Sequence, residues 1–170
     1  MANSSFGSIA DAIYPDLDNE IRTTRRMLER FPAGHYDWKP HDKSMTLGKL
    51  ASHVAELPRF GSAIMTRDSF DFGKGEYVPA ACDSAETLVA TFDERVNAFR
   101  DALSAAESDR MAEPWTLRNG DNVVLVGPRG AVIRTVVINH IVHHRAQLGV
   151  YYRMLGVPIP GSYGPSADEG

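Results

Sequence analysis

Apolar residues recur every three or four positions over four separate stretches of this chain, a spacing that makes helices with one buried stripe each. In the first stretch Phe6, Ile9, Ile13, Leu17, Ile21, Leu28 and Phe31 share a face. Pro15 divides it into a short leader helix and a main helix with Pro15 in its first turn, and Pro32 ends it. The second helix starts near Ser44 or Thr46, either of which can cap it, and carries Leu47, Leu50, Val54, Leu57, Phe60 and Ile64. Pro58 should kink it or end it early. After a loop from about Asp68 to Cys82, Asp83-Ser84-Ala85-Glu86 reads as a capping box for a third helix, with Leu88, Phe92, Val96, Phe99 and Leu103 on one face. The fourth runs from about Ala131 to Leu155, where Gly156 stops it.

Between the third and fourth helices the period changes. Trp115 to Arg118 and Asn122 to Val126 flank Asn119-Gly120, a hairpin signal. The expected fold is therefore all-α, a four-helix bundle with one small β-hairpin between helices three and four. The 170 residues read as a single domain over 1–170, with an irregular tail from Val157.

Charge and composition narrow the function. Lys and Arg total 18 against 22 Asp and Glu, a net charge of −4 that argues against a nucleic-acid partner. One cysteine, Cys82, excludes an intrachain disulfide and fits a reducing cytoplasm. No apolar run approaches the roughly 18 residues of a membrane span, and the first residues lack a basic-then-apolar signal pattern, so a cytoplasmic location without membrane attachment is expected.

Three of the six histidines, His140, His143 and His144, crowd into the fourth helix. Successive helical residues turn by about 100°, so His140 and His144 lie about 40° apart on one face, one turn from each other. That face continues through Ile133, Val136, Val137, Gln147 and Tyr151 and should look into the bundle. His143 is rotated to one side, and Arg145 points about 140° away. His53 occupies the centre of the second helix's apolar stripe, where a buried imidazole needs partners for its nitrogens. A core histidine bonded to a carbonyl or carboxylate would satisfy that need. A third ligand converging with His140 and His144 on a cation would explain all three positions at once, as an open zinc-like site rather than a closed structural one.

Further residues are candidates around such a site. If helices one and two are antiparallel neighbours, Glu20 and Thr24 lie level with His53, and Glu20 could orient a histidine or serve as a base. Gln147 and Tyr151 follow His144 along its stripe, and Trp115 and Trp38 could wall the pocket, although core packing also accounts for the aromatics. Cys82 has no local histidine partner and is a poor nucleophile candidate. Ile138 and Val142 lie opposite the histidine stripe, giving helix four two apolar faces and predicting a homodimer with helix four near the interface.

Three segments carry a family resemblance: Trp38-Lys39-Pro40-His41-Asp42-Lys43-Ser44-Met45 leading into Leu50-Ala51-Ser52-His53; Asn139-His140-Ile141-Val142-His143-His144-Arg145-Ala146-Gln147-Leu148; and the tail from Leu155-Gly156-Val157-Pro158 through Tyr163-Gly164-Pro165-Ser166-Ala167-Asp168-Glu169. They resemble the DinB-like family over nearly the whole chain. The resemblance implies an up-down-down-up four-helix bundle, usually dimeric, with a divalent metal on three histidines, here His53, His140 and His144. Lys49 stands where the family's second helix often begins with an acidic residue. Relatives with assigned activities resemble transferases that use low-molecular-weight thiols such as bacillithiol or mycothiol, and others are described as metal-dependent hydrolases.

The expected function is thus a divalent-metal protein, zinc first and nickel next, acting on a small molecule as a thiol-dependent S-transferase or a hydrolase. A low-molecular-weight thiol would be the cosubstrate in the first case. The alternative is a non-catalytic, stress-associated dimer that binds metal or ligand in the same pocket.

Overall fold

In the computed structural model, which describes residues 14–75, 77 and 79–169, most of the chain is helical and a small three-stranded sheet covers one end. Helix α1 spans Leu17–Leu28. Helices α2 (Leu47–Glu56) and α3 (Pro58–Thr66) form one rod broken at Leu57. Pro58 opens α3 at a position where its missing N–H costs nothing, so the break falls where the proline demands it. Thr46 caps α2, its hydroxyl accepting the Lys49 N–H at 3.3 Å. Helix α4 spans Ala85–Ser104 behind a capping box in which Ser84 pairs with Thr87. The last rod comprises α5 (Arg129–Ile133), a π-turn over Arg134–Ile138 and α6 (Asn139–Met154). Gly156, at φ 70°, ends it in the left-handed region that a side chain would resist.

The observed elements amend several expectations. The leader helix from Phe6 falls largely outside the described residues, and Pro15 lies in the turn before the Asp16 cap instead of inside α1. The first helix stops at Leu28, ahead of Pro32. The hairpin is present as β2 (Pro114–Asn119) and β3 (Asn122–Pro128), with the tight turn shifted one residue to Gly120-Asp121. It is joined by a strand no periodicity marked: β1 (Ser69–Asp71) pairs parallel to β2, Phe70 opposite Leu117. The sheet order is β1-β2-β3, and its inner side adds Phe70, Trp115 and Leu117 to the core.

Helix neighbours decide what can meet at a site. Helix α1 packs on α4 and α6, and α2 also packs on α4 and α6, so these two stand between α1 and α2. Helix α6 therefore shows one face to α2 and another to α1. Helix α3 lies against α4 so closely that a Cβ on Gly61 would stand 2.4 Å from the Phe99 ring. Arg129, 1% exposed, ties the end of α3 to the sheet. Its guanidinium donates to the carbonyls of Ile64 and Arg67 and to Asp68, satisfying helix-end acceptors that would otherwise be stranded. None of the described helices is long and apolar enough to cross a membrane.

Candidate metal centre

His53 on α2 and His140 and His144 on α6 come together across the face these helices share. His140 Nε2 lies 3.3 Å from His53 Nε2 and 2.8 Å from His144 Nε2. One ligand atom from each of the three lies within 4.8 Å of the other two. Three nitrogens bound at about 2.0–2.1 Å to one ion are separated by about 2.8–3.4 Å for angles between octahedral and tetrahedral, so these two separations match a shared cation.

The remaining ring nitrogens explain why the Nε2 atoms face inward. His140 Nδ1 is 3.3 Å from Val136 O, and His144 Nδ1 is 2.7 Å from Gln147 Oε1. With their Nδ1–H groups donated to those oxygens, both imidazoles carry their lone pairs on Nε2, aimed at the centre. The π-turn precedes this arrangement: Asn139 N–H reaches five residues back to Arg134 O, widening the helix just ahead of His140.

Electrostatics keep the trio unprotonated at neutral pH. Burial, followed by His144 and His140, pushes the His53 pKa down to about 4. Burial also lowers His140, with His144 adding to the effect and Val136 O opposing it. His144 is lowered chiefly by burial, against the pull of Gln147. Three neutral imidazoles with converging lone pairs repel one another unless a proton or a cation lies between them, and the donor set suits a borderline divalent ion such as zinc or nickel. These residues fit a resident metal.

Two clefts reach the histidines. One, about 500 Å³, is bounded by His53, Tyr36, Lys49, Glu56 and Tyr77; the other, about 320 Å³, by His53, His140, Phe60, Phe72, Leu117 and Val136, with Tyr77 shared between them. Glu56, 2% exposed, sits one turn beyond His53 on α2. Tyr77 donates its hydroxyl to Glu56 Oε2 at 3.1 Å, and the Arg59 guanidinium lies 3.5 Å from Glu56 Oε1 and 5.0 Å from the Tyr77 ring centre. Burial and the neighbouring Glu56 carboxylate push the Tyr77 hydroxyl up to about 12, so it stays a donor. Sequence reasoning missed this group. The available signal was Glu56 itself, a carboxylate three residues after His53 on the same helical face.

Glu20 and Thr24 belong elsewhere. The Glu20 carboxylate, 3% exposed, lies 2.7 Å from Arg145 Nη1 and accepts the Tyr163 hydroxyl at 3.0 Å. Thr24 donates to Glu20 O at 2.7 Å and receives Arg145 Nη1 at 3.2 Å. The expectation that they would lie level with His53 fails because α4 and α6 separate α1 from α2. Arg145 points away from the histidines and toward α1, where its charge is matched. Trp115 is fully enclosed in the core and does not wall the histidine clefts; its indole N–H has no hydrogen-bond partner among the described residues. Tyr151 donates to Met45 O at 3.2 Å and meets Trp38 edge-on at 5.5 Å, bracing the segment that leads into α2. His143 is exposed, with its ring 4.8 Å from His144, while Cys82 is buried, its sulfur 3.5 Å from the Thr91 hydroxyl.

Comparison with known proteins agrees with this architecture. The chain is 25% identical to the uncharacterized protein YrdA of Bacillus subtilis (strain 168) over 159 residues, covering 94% of this chain and 90% of YrdA. It is also 25% identical to YjoA of the same organism over 138 residues, 78% of this chain and 82% of that protein. The crystal structure of YjoA superposes with a TM-score of 0.65 at 16% identity, covering 94% of this chain and 99% of that one. A DinB-like protein from Bacillus cereus ATCC 10987 gives 0.66 at 22% identity, covering 90% and 97%. These two structural likenesses show the fold. The family model described as the DinB family matches residues 1–170, and the chain belongs to the DinB family.

Proposed function

We propose that the chain is a metal-dependent enzyme acting on small molecules, with His53, His140 and His144 holding one divalent ion, zinc first and nickel second. The observation that carries the reading is the convergence of three neutral Nε2 atoms, with two of the rings pinned through Nδ1. When bound, such an ion supplies Lewis acidity that stabilises a thiolate or activates water near neutral pH. The protein's own groups supply the rest. Val136 O and Gln147 hold the imidazoles in the ligating tautomer, the aromatic lining excludes water from one side, and Glu56 fixes the Tyr77 hydroxyl on the wall between the clefts.

The reaction favoured is S-transfer from a low-molecular-weight thiol to an electrophile, because two clefts of different chemistry meet at His53 and give two reactants separate approaches. Small-molecule hydrolysis uses the same centre with water in the place of the thiol. The four helical rods fit an up-down-down-up bundle, and exposed Val150 and Met154 on α6 support a homodimer through that helix in the cytoplasm.

Elemental analysis of untagged protein tests the metal, with about one equivalent expected per chain and loss of it in His53→Ala. A screen of several thiols against alkyl and aryl electrophiles, on metal-loaded and chelated protein, tests the chemistry. Turnover confined to the loaded protein and dependent on thiol supports S-transfer; turnover of ester or amide substrates without thiol replaces it with hydrolysis. Stoichiometric metal without turnover in either assay favours the non-catalytic binding role.

A further inference from the structure

The smaller cleft has an unusual wall. Phe60, Phe72 and Tyr77 form a triangle of rings, with centroids 6.0 Å apart for Phe60–Phe72, 5.9 Å for Phe60–Tyr77 and 6.0 Å for Phe72–Tyr77. Phe70 backs the triangle, 5.5 Å from Phe60 and 5.1 Å from Phe72. Leu117 and Val136 line the cleft alongside these rings, and His53 and His140 also line it. The two hydroxyls on this lining are both committed elsewhere. Thr135 donates to Ala131 O at 3.1 Å, and Tyr77 donates to Glu56. Phe72 remains 38% exposed among the rings, an aromatic surface that water covers unfavourably.

From these contacts the geometry points to a binding subsite for a neutral aromatic ring, carried by the substrate and lying beside His53 and His140. The volume suits it. A dry apolar cavity of about 150 Å³ holds a benzene, so a cleft of about 320 Å³ takes a ring with a short substituent. The chemistry suits it as well. The wall offers ring edges and faces for offset or edge-on contact with a bound ring, which adds to burial alone. A carboxylate in the same place, with no metal on the histidines, would lose its hydration with no cationic partner among the lining residues. The inference rests on the proposed metal centre for what reacts at the histidine end, but ring binding itself needs no metal.

The test is a titration with benzyl alcohol followed by the methyl resonances of Leu117 and Val136, on both chelated and zinc-loaded protein. Saturable shifts at both methyls are expected in both forms, with benzoate binding the chelated protein more than about tenfold more weakly than the alcohol does. Val136→Phe, which fills the cleft, should abolish the Leu117 response. Phe72→Ala, which removes one ring of the triangle at a partly exposed position, should weaken binding several-fold, read at both methyls, while Lys49→Gln in the other cleft should leave it unchanged. The subsite is overturned if no saturable shift occurs, if benzoate binds the chelated protein as well as the alcohol does, or if a folded Phe72→Ala protein binds unchanged. Ring binding in a protein that takes up no metal would sink the proposed function and leave the subsite standing; metal uptake without ring binding would do the reverse.

Discussion

His53 Nε2 and His140 Nε2 lie 3.3 Å apart although 87 residues separate them in the chain. Burial first, and the neighbouring imidazoles after it, hold both rings neutral, so a cation shared between them would relieve the approach. Zinc or nickel should therefore stabilise the protein against heat, by about 2.7 kcal/mol at a free concentration 100 times the dissociation constant. Differential scanning calorimetry with and without chelator measures this. The same addition should leave the Tm of His53→Ala nearly unchanged, and equal metal-induced shifts in the two proteins would refute the site.

Gln147 would act on a bound metal only through His144, whose Nδ1 it meets at 2.7 Å. Removing such an orienting partner lowers metal affinity about 10–100-fold while the ligands remain. Gln147→Leu is expected to fall in that range in a competition titration against a chromophoric chelator, with one equivalent still bound at saturation. Gln147→Glu keeps an acceptor and should retain or raise affinity. Wild-type affinity in the leucine variant would show that His144 is oriented by packing alone.

Arg145 and Glu20 form an ion pair with side chains 3% and 4% exposed, joined by Thr24 and Tyr163. Deleting one partner leaves the other charge buried and unmatched, a loss of about 3–5 kcal/mol. Arg145→Leu should show it as a lower urea midpoint with an unchanged slope. Glu20→Gln should also destabilise, because its amide oxygen still accepts from Tyr163 but leaves the Arg145 charge buried without a counter-ion. Both variants should bind metal with affinity close to wild type once folded, since α1 does not reach the histidines. A large loss of metal affinity in folded Glu20→Gln would return Glu20 to the site.

Proton competition gives a pH signature. With its folded pKa at about 4, His53 in the chelated protein binds fewer protons than in the unfolded chain, where the ordinary value is 6.5. Its contribution to stability is thus complete above about pH 6.5 and is lost as pH falls from there toward 4. Denaturant midpoints of chelated wild type should decline over that window more steeply than those of His53→Ala. An imidazole titration by NMR that placed His53 near 6.5 in the folded protein would contradict the buried, neutral assignment.

The convergence of the three histidines was legible in the sequence because each fact needed was local: a one-turn spacing for His140 and His144, and an apolar stripe around His53. The break at Pro58 and the Thr46 cap were legible for the same reason. What escaped depends on contacts between distant segments. Ser69–Asp71 is too short to show a period and is a strand only because β2 offers it an edge. The π-turn at Arg134–Ile138 has no residue signature, and its widening of the last rod emerges only in the folded chain. Glu20 was placed beside His53 by assuming that helices adjacent in sequence are adjacent in space, an assumption that the packing of α4 and α6 defeats. Tyr77 lies in a segment without periodicity, and only the folded chain brings it between the clefts, against Glu56, Phe60 and Phe72.

Assembly remains to be tested on α6. Its inward faces are occupied, by the histidines toward α2 and by Arg145 toward α1, yet Val150 is 59% and Met154 58% exposed, one turn apart on the outer face. Apolar side chains grouped on one outer face of a helix suit burial against a second copy, related by a twofold axis that sets the same patch on itself. Sedimentation equilibrium at micromolar concentration should give twice the 18.7 kDa chain mass. Val150→Glu combined with Met154→Glu should bring like charges together across that axis and return the mass to that of a monomer, with metal stoichiometry unchanged. Strand β3 offers the competing face, through Val124 at 54% and Val126 at 60% exposure. Val124→Lys with Val126→Lys should leave the dimer intact. If instead the strand variant dissociates and the helix variant does not, the interface lies on the sheet edge and the assignment to α6 falls.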